Sequence, residues 1–327
     1  MGNNNRLTID RYFSKEGVSP YDEFKWTFSD VDIKDDKGKV IFIQKNSEFP
    51  ETYSPHARSV IASRYAYGKL GSNERETSLR PIITRVSETY GKHALEKGYF
   101  DERGAEIFGD EIAKLTLEQR AAFNSPVWFN VGTDRYPSRI RKQRSDSYHI
   151  NEEGVAVNVG EDSHLYPQTS ACFIQSVEDT MESIMDLARK EVMLFKYGSG
   201  TGTDLSPLRS FREELSGGGK PSGPVSYLIG YDNFAGVTKS GGKTRRAAKM
   251  NSLKDWHPDI KEFIMAKMIE ERKAKALVKQ GYSGREASAS VAYQNVNLSV
   301  RASDEFMHAV INDGAWHHVS VVRQENG

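Results

Sequence analysis

Residues 168–209 read QTSACFIQSVEDTMESIMDLARKEVMLFKYGSGTGTDLSPLR, and the rest of the 327-residue chain is organised around them. The stretch holds the single cysteine, Cys172, at the end of a short apolar, strand-like run. Behind it Val177, Met181, Ile184, Met185, Ala188, Val192 and Phe195 share one face at the helical period, which predicts a helix over 177–196. Ser176, three residues before Asp179, gives a capping-box pattern at its start, and Gly198 suits its exit. Gly198-Ser-Gly-Thr-Gly202 then predicts a glycine-rich turn, followed by the basic Arg209. Such a turn can bring backbone N–H groups against a phosphate, because glycine permits close approach and positive φ. The plainer reading is a strand–helix–loop unit with a buried cysteine, in which Asp179 is the third helical residue and accepts backbone N–H bonds.

Size and composition bound the possibilities. A chain of 327 residues can bury a large core as one big α/β domain or two domains. Hydrophobic residues make up 37% and formal net charge is zero, so no broad electrostatic attraction to nucleic acid or a membrane is expected. Mean hydropathy of -0.62 describes a rather polar protein. A lone cysteine excludes an internal disulfide framework and fits a reducing cytoplasm. No apolar signal core and no run of about 18 apolar residues appears, so a soluble, cytoplasmic protein without a membrane partner is expected.

Outward from the central stretch, Val31 and Val40 flank Asp35-Asp-Lys-Gly38, a hairpin turn signal. Thr77 or Ser78 can cap a helix whose inner face is Ile82, Ile83, Val86, Tyr90 and Ala94, ending before Gly98. Thr116-x-x-Gln119 predicts a further helix from about Leu115 to Phe123, and Asn124-Ser-Pro-Val-Trp-Phe-Asn130 reads as a loop and a short strand. Residues 134–166 are polar and turn-rich, with Arg139, Arg141, Lys142 and Arg144 close together, as in a solvated insertion. Pro224 to Ala235 reads as a buried element, Ile260 to Val278 as a charged surface helix and Val296 to Val300 as a strand. Ser303 caps a last helix ending near Gly314. The alternation of strands and helices after residue 124 predicts an α/β fold with parallel strands.

Several signals fail on their own chemistry. Ser240-Gly-Gly-Lys-Thr244 resembles the end of a P-loop, but Val237 stands where that motif needs glycine. Lys239, Lys243, Arg245 and Arg246 beside two glycines still suit a phosphate or a base edge, or simply a basic surface loop. The glycines at 198–202 follow a helix and so lack the dinucleotide-fold context. His317-His318 has no companion ligands at metal spacing, and no metal site is expected.

Taken together, the segments Gln168-Thr-Ser-Ala-Cys172, Phe195-Lys-Tyr-Gly-Ser-Gly-Thr-Gly202, Leu215-Ser-Gly-Gly-Gly219, Pro221-Ser-Gly-Pro224, Lys239-Ser-Gly-Gly-Lys-Thr-Arg-Arg-Ala-Ala-Lys-Met250 and Gln294-Asn-Val-Asn-Leu-Ser299 resemble the adenosylcobalamin-dependent (class II) ribonucleotide reductases. The resemblance covers nearly the whole chain. It implies an N-terminal module over 1–110 and, over 111–327, the first part of the reductase α/β barrel. Cys172 matches one half of the redox-active pair that delivers two electrons to the ribose 2′ position. Ser125, Ala171 and Gly200 match substrate-contacting positions. Asp179 and Arg209 match positions that bind a deoxynucleoside triphosphate effector, and the loop bearing Lys239, Lys243 and Arg245 matches the segment that carries effector identity to the substrate base.

The implied reaction converts ribonucleotides to 2′-deoxyribonucleotides through a cobalamin-initiated thiyl radical, with a thioredoxin-type reductant, and the resemblance leans towards diphosphate substrates. Such chemistry requires at least three cysteines, including one in an Asn-x-Cys-x-Glu element. The sequence has one cysteine and no such element, so the expectation is an incomplete N-terminal part that is inactive alone, associates with the missing C-terminal half and forms a homo-oligomer. A catalytically inactive nucleotide-binding or regulatory fragment, and a fragment of a class I large subunit, are the alternatives.

Overall fold

The computed structural model describes residues 6–35, 38–137, 148–160, 165–238 and 247–322. The chain divides by compactness into two units, 1–170 and 171–327.

In the first unit, β1 (Trp26–Lys34) and β2 (Val40–Pro50) form the expected antiparallel hairpin, running from Trp26↔Pro50 to Lys34↔Val40. A short α1 (Pro55–Val60) continues into one π-helical turn, Ile61–Tyr65. Ser78 caps α2 (Leu79–Glu96) by accepting from the Arg80 N–H, and Ile82, Ile83, Val86 and Ala94 are buried as their spacing predicts. Next comes α3 (Glu102–Leu117), which crosses the module boundary expected at 110. It replaces the helix expected over 115–123. Asp101 is the true cap, accepting from the Gly104 N–H at 2.7 Å, while Thr116 lies in the last turn and Gln119 (φ 58) leaves the helix in a left-handed conformation. α2 and α3 approach closely where a Cβ on Gly91 would lie 3.0 Å from the Ala105 carbonyl oxygen.

The segment expected as loop and strand is instead helical, α4 (Ser125–Asn130). Asn124 caps it and Pro126 occupies its first turn, where a missing N–H costs nothing. Two carbonyls at its C-terminal end are held from the core by Arg85, whose Nη1 donates to Val131 O at 2.7 Å and Nη2 to Trp128 O at 2.5 Å. The same guanidinium pairs with Glu76 at 2.8 Å, both side chains being fully buried. Tyr136 donates its hydroxyl to that carboxylate at 2.8 Å, and burial first, then the Glu76 charge, pushes the phenol well above its usual range. A small hairpin, β3 (Tyr148–Ile150) with β4 (Ala156–Asn158), follows; the cluster Arg139, Arg141, Lys142 and Arg144 lies outside the described residues.

The second unit is the predicted parallel α/β arrangement. β5 (Cys172–Gln175), β6 (Gly200–Asp204), β7 (Lys249–Lys254) and β8 (Val296–Arg301) lie side by side in chain order, all parallel. They alternate with α5 (Met181–Lys196), α6 (Gly223–Val237), α7 (Ile260–Lys279), α8 (Gly284–Ala289) and α9 (Asp304–Ile311). Leu187, Leu228, Tyr231, Leu253 and Phe263 form the core between sheet and helices. The other face is open: Cys172, Ile174, Met250 and Asn297 are exposed there, Ile174 at 96%. Parallel sheets are normally covered on both faces or closed on themselves, and among the described residues neither outer strand edge is paired.

Replacing Arg85 by Met should strand the buried Glu76 carboxylate and unpin α4, lowering stability by about 3–5 kcal/mol. Urea unfolding followed by tryptophan fluorescence checks this, and adding Glu76→Gln should return part of the loss.

Candidate functional site

Cys172 opens β5 and its side chain is exposed on the bare face of the sheet, so the buried cysteine of the plainer reading is not what the fold contains. In register beside it is Gly200. The glycine-rich turn expected over 198–202 is only half a turn: Gly198 takes φ 87 and reverses the chain, but Gly200 and Gly202 belong to β6. Gly200 donates to the Ala171 carbonyl at 2.6 Å, and Thr201 donates to the Ala248 carbonyl at 3.1 Å. A Cβ on Gly200 would sit 2.8 Å from that Ala248 oxygen, closer than real Cβ contacts come. Glycine is thus required by the crowding of three strands. At Gly202 the nearest atom would be the Met250 methyl at 3.9 Å, which is ordinary contact.

Asp179 and Arg209 are also brought together, at the other end of the same strands. The expected helix 177–196 begins four residues late: Thr180 is the cap, accepting from the Ser183 N–H, and Asp179 precedes it. The Asp179 carboxylate turns outward instead, accepting from the Arg209 backbone N–H at 3.1 Å and pairing with its Nε. Among the described residues no partner engages the Arg209 Nη groups, and a carboxylate retains acceptor capacity after two bonds. Gly200 and Asp204 bound β6, so the cysteine end and the Asp179–Arg209 end are about 13 Å apart at roughly 3.3 Å per residue.

Ser125 lies in the other unit, in the first turn of α4, with its hydroxyl 3.1 Å from that of Tyr65 at the end of the π-helical turn. Lys239, Lys243 and Arg245 lie outside the described residues. Of the described residues on either side, Val237 ends α6 and Ala248 adjoins Gly200 at the cysteine end of the sheet.

The sequence reading passes over Glu191, Thr201 and Lys249. The buried stripe of α5 is Ile184, Leu187, Ala188, Glu191 and Phe195, whereas Met181 and Met185 are about half exposed. The visible signal was a carboxylate at the spacing of the apolar face. Its partners are Lys249 Nζ at 2.6 Å and the Thr201 hydroxyl at 3.0 Å, with both charged side chains buried. Burial pulls the Lys249 ammonium down from its usual range, against the opposing pull of Glu191. Among the described residues no group of three His, Cys, Asp or Glu is placed to hold a metal, and no helix is long and apolar enough to cross a membrane.

Residues 27–119 match the family described as class II vitamin B12-dependent ribonucleotide reductase, and residues 170–325 match the ribonucleotide reductase barrel domain. Over 305 residues the chain is 48% identical to the vitamin B12-dependent ribonucleotide reductase of Rhodopirellula baltica, covering 92% of this chain and 29% of that protein. The chain belongs to the vitamin B12-dependent ribonucleotide reductase family. The Streptomyces coelicolor member is 44% identical over 313 residues, covering 94% of this chain and 29% of its own length. A more distant relative, the vitamin B12-dependent ribonucleoside-diphosphate reductase of Thermoplasma acidophilum, is 28% identical over 313 residues, covering 91% of this chain and 36% of its own length. The chain therefore spans under a third of the first two reductases' length, and the four-stranded parallel sheet lies within the segment matching the family's barrel domain.

Family membership implies a cobalamin cofactor. A cleft of about 490 Å³ in the first unit, walled by Tyr53, Tyr65, Phe123 and Trp128, has the size of a site for a drug-sized ligand, well short of a corrin with its nucleotide arm. A second cleft in that unit, of about 390 Å³, and one of about 340 Å³ in the other unit are smaller still. These clefts do not fit the cofactor, and none of their residues is assigned to it.

Gly200→Ala should drive β6 from β7 and cost about 2 kcal/mol, whereas Gly202→Ala in the same strand should change stability by no more than about 0.5 kcal/mol. Paired thermal melts of the two variants separate crowding at one position from a general intolerance of side chains in the strand.

Proposed function

We propose that this chain supplies the Cys172 thiol, substrate contacts and an effector site to a ribonucleotide reductase that converts ribonucleoside diphosphates to 2′-deoxyribonucleotides. The observation that carries the reading is an exposed Cys172 on the open face of a parallel sheet, register-paired with Gly200, within the segment that matches the family's barrel domain. Adenosylcobalamin, bound to the complete enzyme, would supply the initiating radical. Cys172 would act with a second cysteine of the remaining polypeptide. Together they give two electrons and become a disulfide while the 2′ hydroxyl leaves as water, and a thioredoxin-type protein restores the thiols. The diphosphate preference draws on the Thermoplasma relative, a ribonucleoside-diphosphate reductase. The active species would be a cytoplasmic homo-oligomer of the completed protein.

Ala171 and Gly200 offer backbone on the cysteine side of the sheet, and Ser125 offers a hydroxyl from α4. Asp179 and Arg209 form a separate group suited to a deoxynucleoside triphosphate, the guanidinium towards phosphate and the carboxylate towards a sugar hydroxyl. Lys239, Lys243 and Arg245 would carry effector identity to the substrate base, a role supported by a described residue that follows them, Ala248, adjoining Gly200.

A deoxynucleoside triphosphate should bind the chain, and Arg209→Ala should cost about 1.5–3 kcal/mol, roughly tenfold to a hundredfold in affinity by titration calorimetry. Co-expression with the remainder of the reductase should yield adenosylcobalamin-dependent reduction of a ribonucleoside diphosphate that Cys172→Ser abolishes. Binding without turnover would leave a regulatory nucleotide-binding piece; turnover that survives Cys172→Ser would remove the cysteine from the chemistry.

A further inference from the structure

We propose that Glu191 and Lys249 form a positioning pair that holds, from the helix side of the sheet, the backbone ladder Ala171–Gly200–Ala248 beside which Cys172 is presented on the opposite face. Its functional meaning rests on the reading of Cys172, Ala171 and Gly200 as the substrate side of the reductase.

Side chains alternate between the faces of a strand. On β6 the open-face positions 200 and 202 are both glycine, and the first open-face side chain, Asp204, pairs with Arg301 only at the far end of the strand. At the cysteine end the backbone ladder is therefore reinforced by side chains only from the helix side, where Thr201 and Lys249 are register partners. The Glu191 carboxylate reaches both: Oε1 accepts from the Thr201 hydroxyl at 3.0 Å and Oε2 pairs with Lys249 Nζ at 2.6 Å. One side chain of α5 thereby grips adjoining rungs of two strands. On the reverse of those rungs lie the Gly200–Ala171 hydrogen bond of 2.6 Å and the approach of Gly200 to Ala248.

A further contact closes the arrangement. Lys249 Nζ lies 4.2 Å from the centre of the Tyr231 ring, and the Tyr231 hydroxyl donates to Ile184 O at 3.0 Å, tying α6 to α5. Stability alone does not call for charge here. The surrounding layer is Leu187, Leu228, Leu253 and Phe263, and well-packed apolar residues often replace a buried ion pair at no loss. What the pair adds is a fixed register: hydrogen bonds of set length and direction, where apolar contact would tolerate sliding.

The test is amide hydrogen exchange on the folded chain, comparing the native protein with Glu191→Gln, Thr201→Val and the double variant Glu191→Met with Lys249→Met. The double variant removes both charges of the pair, and the nearby buried Asp232 keeps the backbone N–H groups of Gln294 and Asn295, so the variant should melt within a few degrees of the native protein. Its Gly200 and Thr201 amides should nevertheless exchange about tenfold faster or more, while Leu205, bonded to Ser252 at the far end of β6, changes less than about twofold. Thr201→Val should give a smaller change in the same place. Equal acceleration at both ends, or none, overturns the proposal by making the pair a general stabiliser. A double variant that cannot fold also overturns it, because the pair would then be a requirement of the fold. Ribonucleoside diphosphate added to the native chain tests the underlying reading separately. If it fails to protect the Ala171–Gly200 edge while the double variant still loosens it, the positioning role stands and the substrate reading falls.

Discussion

The second unit depends on one crowded point, the Cα of Gly200. Two neighbouring strands close on it, Ala171 accepting its N–H and the Ala248 oxygen occupying the space a side chain would need. The spacing of β5, β6 and β7 at that edge is therefore set by backbone against backbone. Cys172 inherits its position from the arrangement: it is the residue after Ala171, it pairs in register with Gly200, and alternation turns its thiol to the open face. A cysteine on an ordinary edge strand would be free to wander with the edge. This one follows a rung that has no slack.

Both units fix backbone with a buried ion pair, and the two pairs work differently. Arg85, neutralised by Glu76, spends its remaining donors on the Trp128 and Val131 carbonyls at the end of α4, so a cation anchors main chain directly. In the second unit the anion divides its two oxygens between the side chains of Thr201 and Lys249 and so spaces two strands. Removing water from such charges costs several kcal/mol per ion, which the partner and the additional hydrogen bonds must offset. That cost is consistent with a role in geometry more than in net stability, because an apolar filling would achieve burial without it.

Periodicity made much of the fold legible. The first hairpin, α2, α7, β8 and the Ser303 cap of α9 all stand where alternation, helical spacing and capping residues place them. Two of the departures share a cause. Helix α3 buries Glu111 and Lys114 on its inner side, and α5 buries Glu191, so the apolar stripe is interrupted where a charge finds a partner elsewhere in the fold. Sequence cannot show that Ser14 and the backbone N–H groups of residues 12–14 converge on Glu111. The glycines after α5 read as turn because glycine is rare in strands, and the reason for Gly200, a neighbouring carbonyl from residue 248, is remote in sequence. At the candidate site, resemblance singles out Cys172, Asp179 and Arg209, while their placement at opposite ends of the strands emerges only with the fold.

That separation determines how the two ends can be connected. On the open face of β6 the Asp204–Arg301 pair lies at the Asp179–Arg209 end, and beyond it positions 202 and 200 offer no side chain to carry a displacement towards Cys172. The helix side is different. Asp179, which grips the Arg209 backbone N–H as well as its side chain, directly precedes the cap of α5. Glu191, on the same helix, ends beneath Thr201 and Lys249, and ten residues of helix from Met181 span about 15 Å, close to the length of the strand alongside. A helix is stiff along its axis, whereas the two-glycine stretch of strand face has no side chains to couple through. Any ligand that draws Arg209 away from Asp179 therefore acts on the start of α5, and the first fixed points that helix meets at the cysteine end are the rungs beside Gly200.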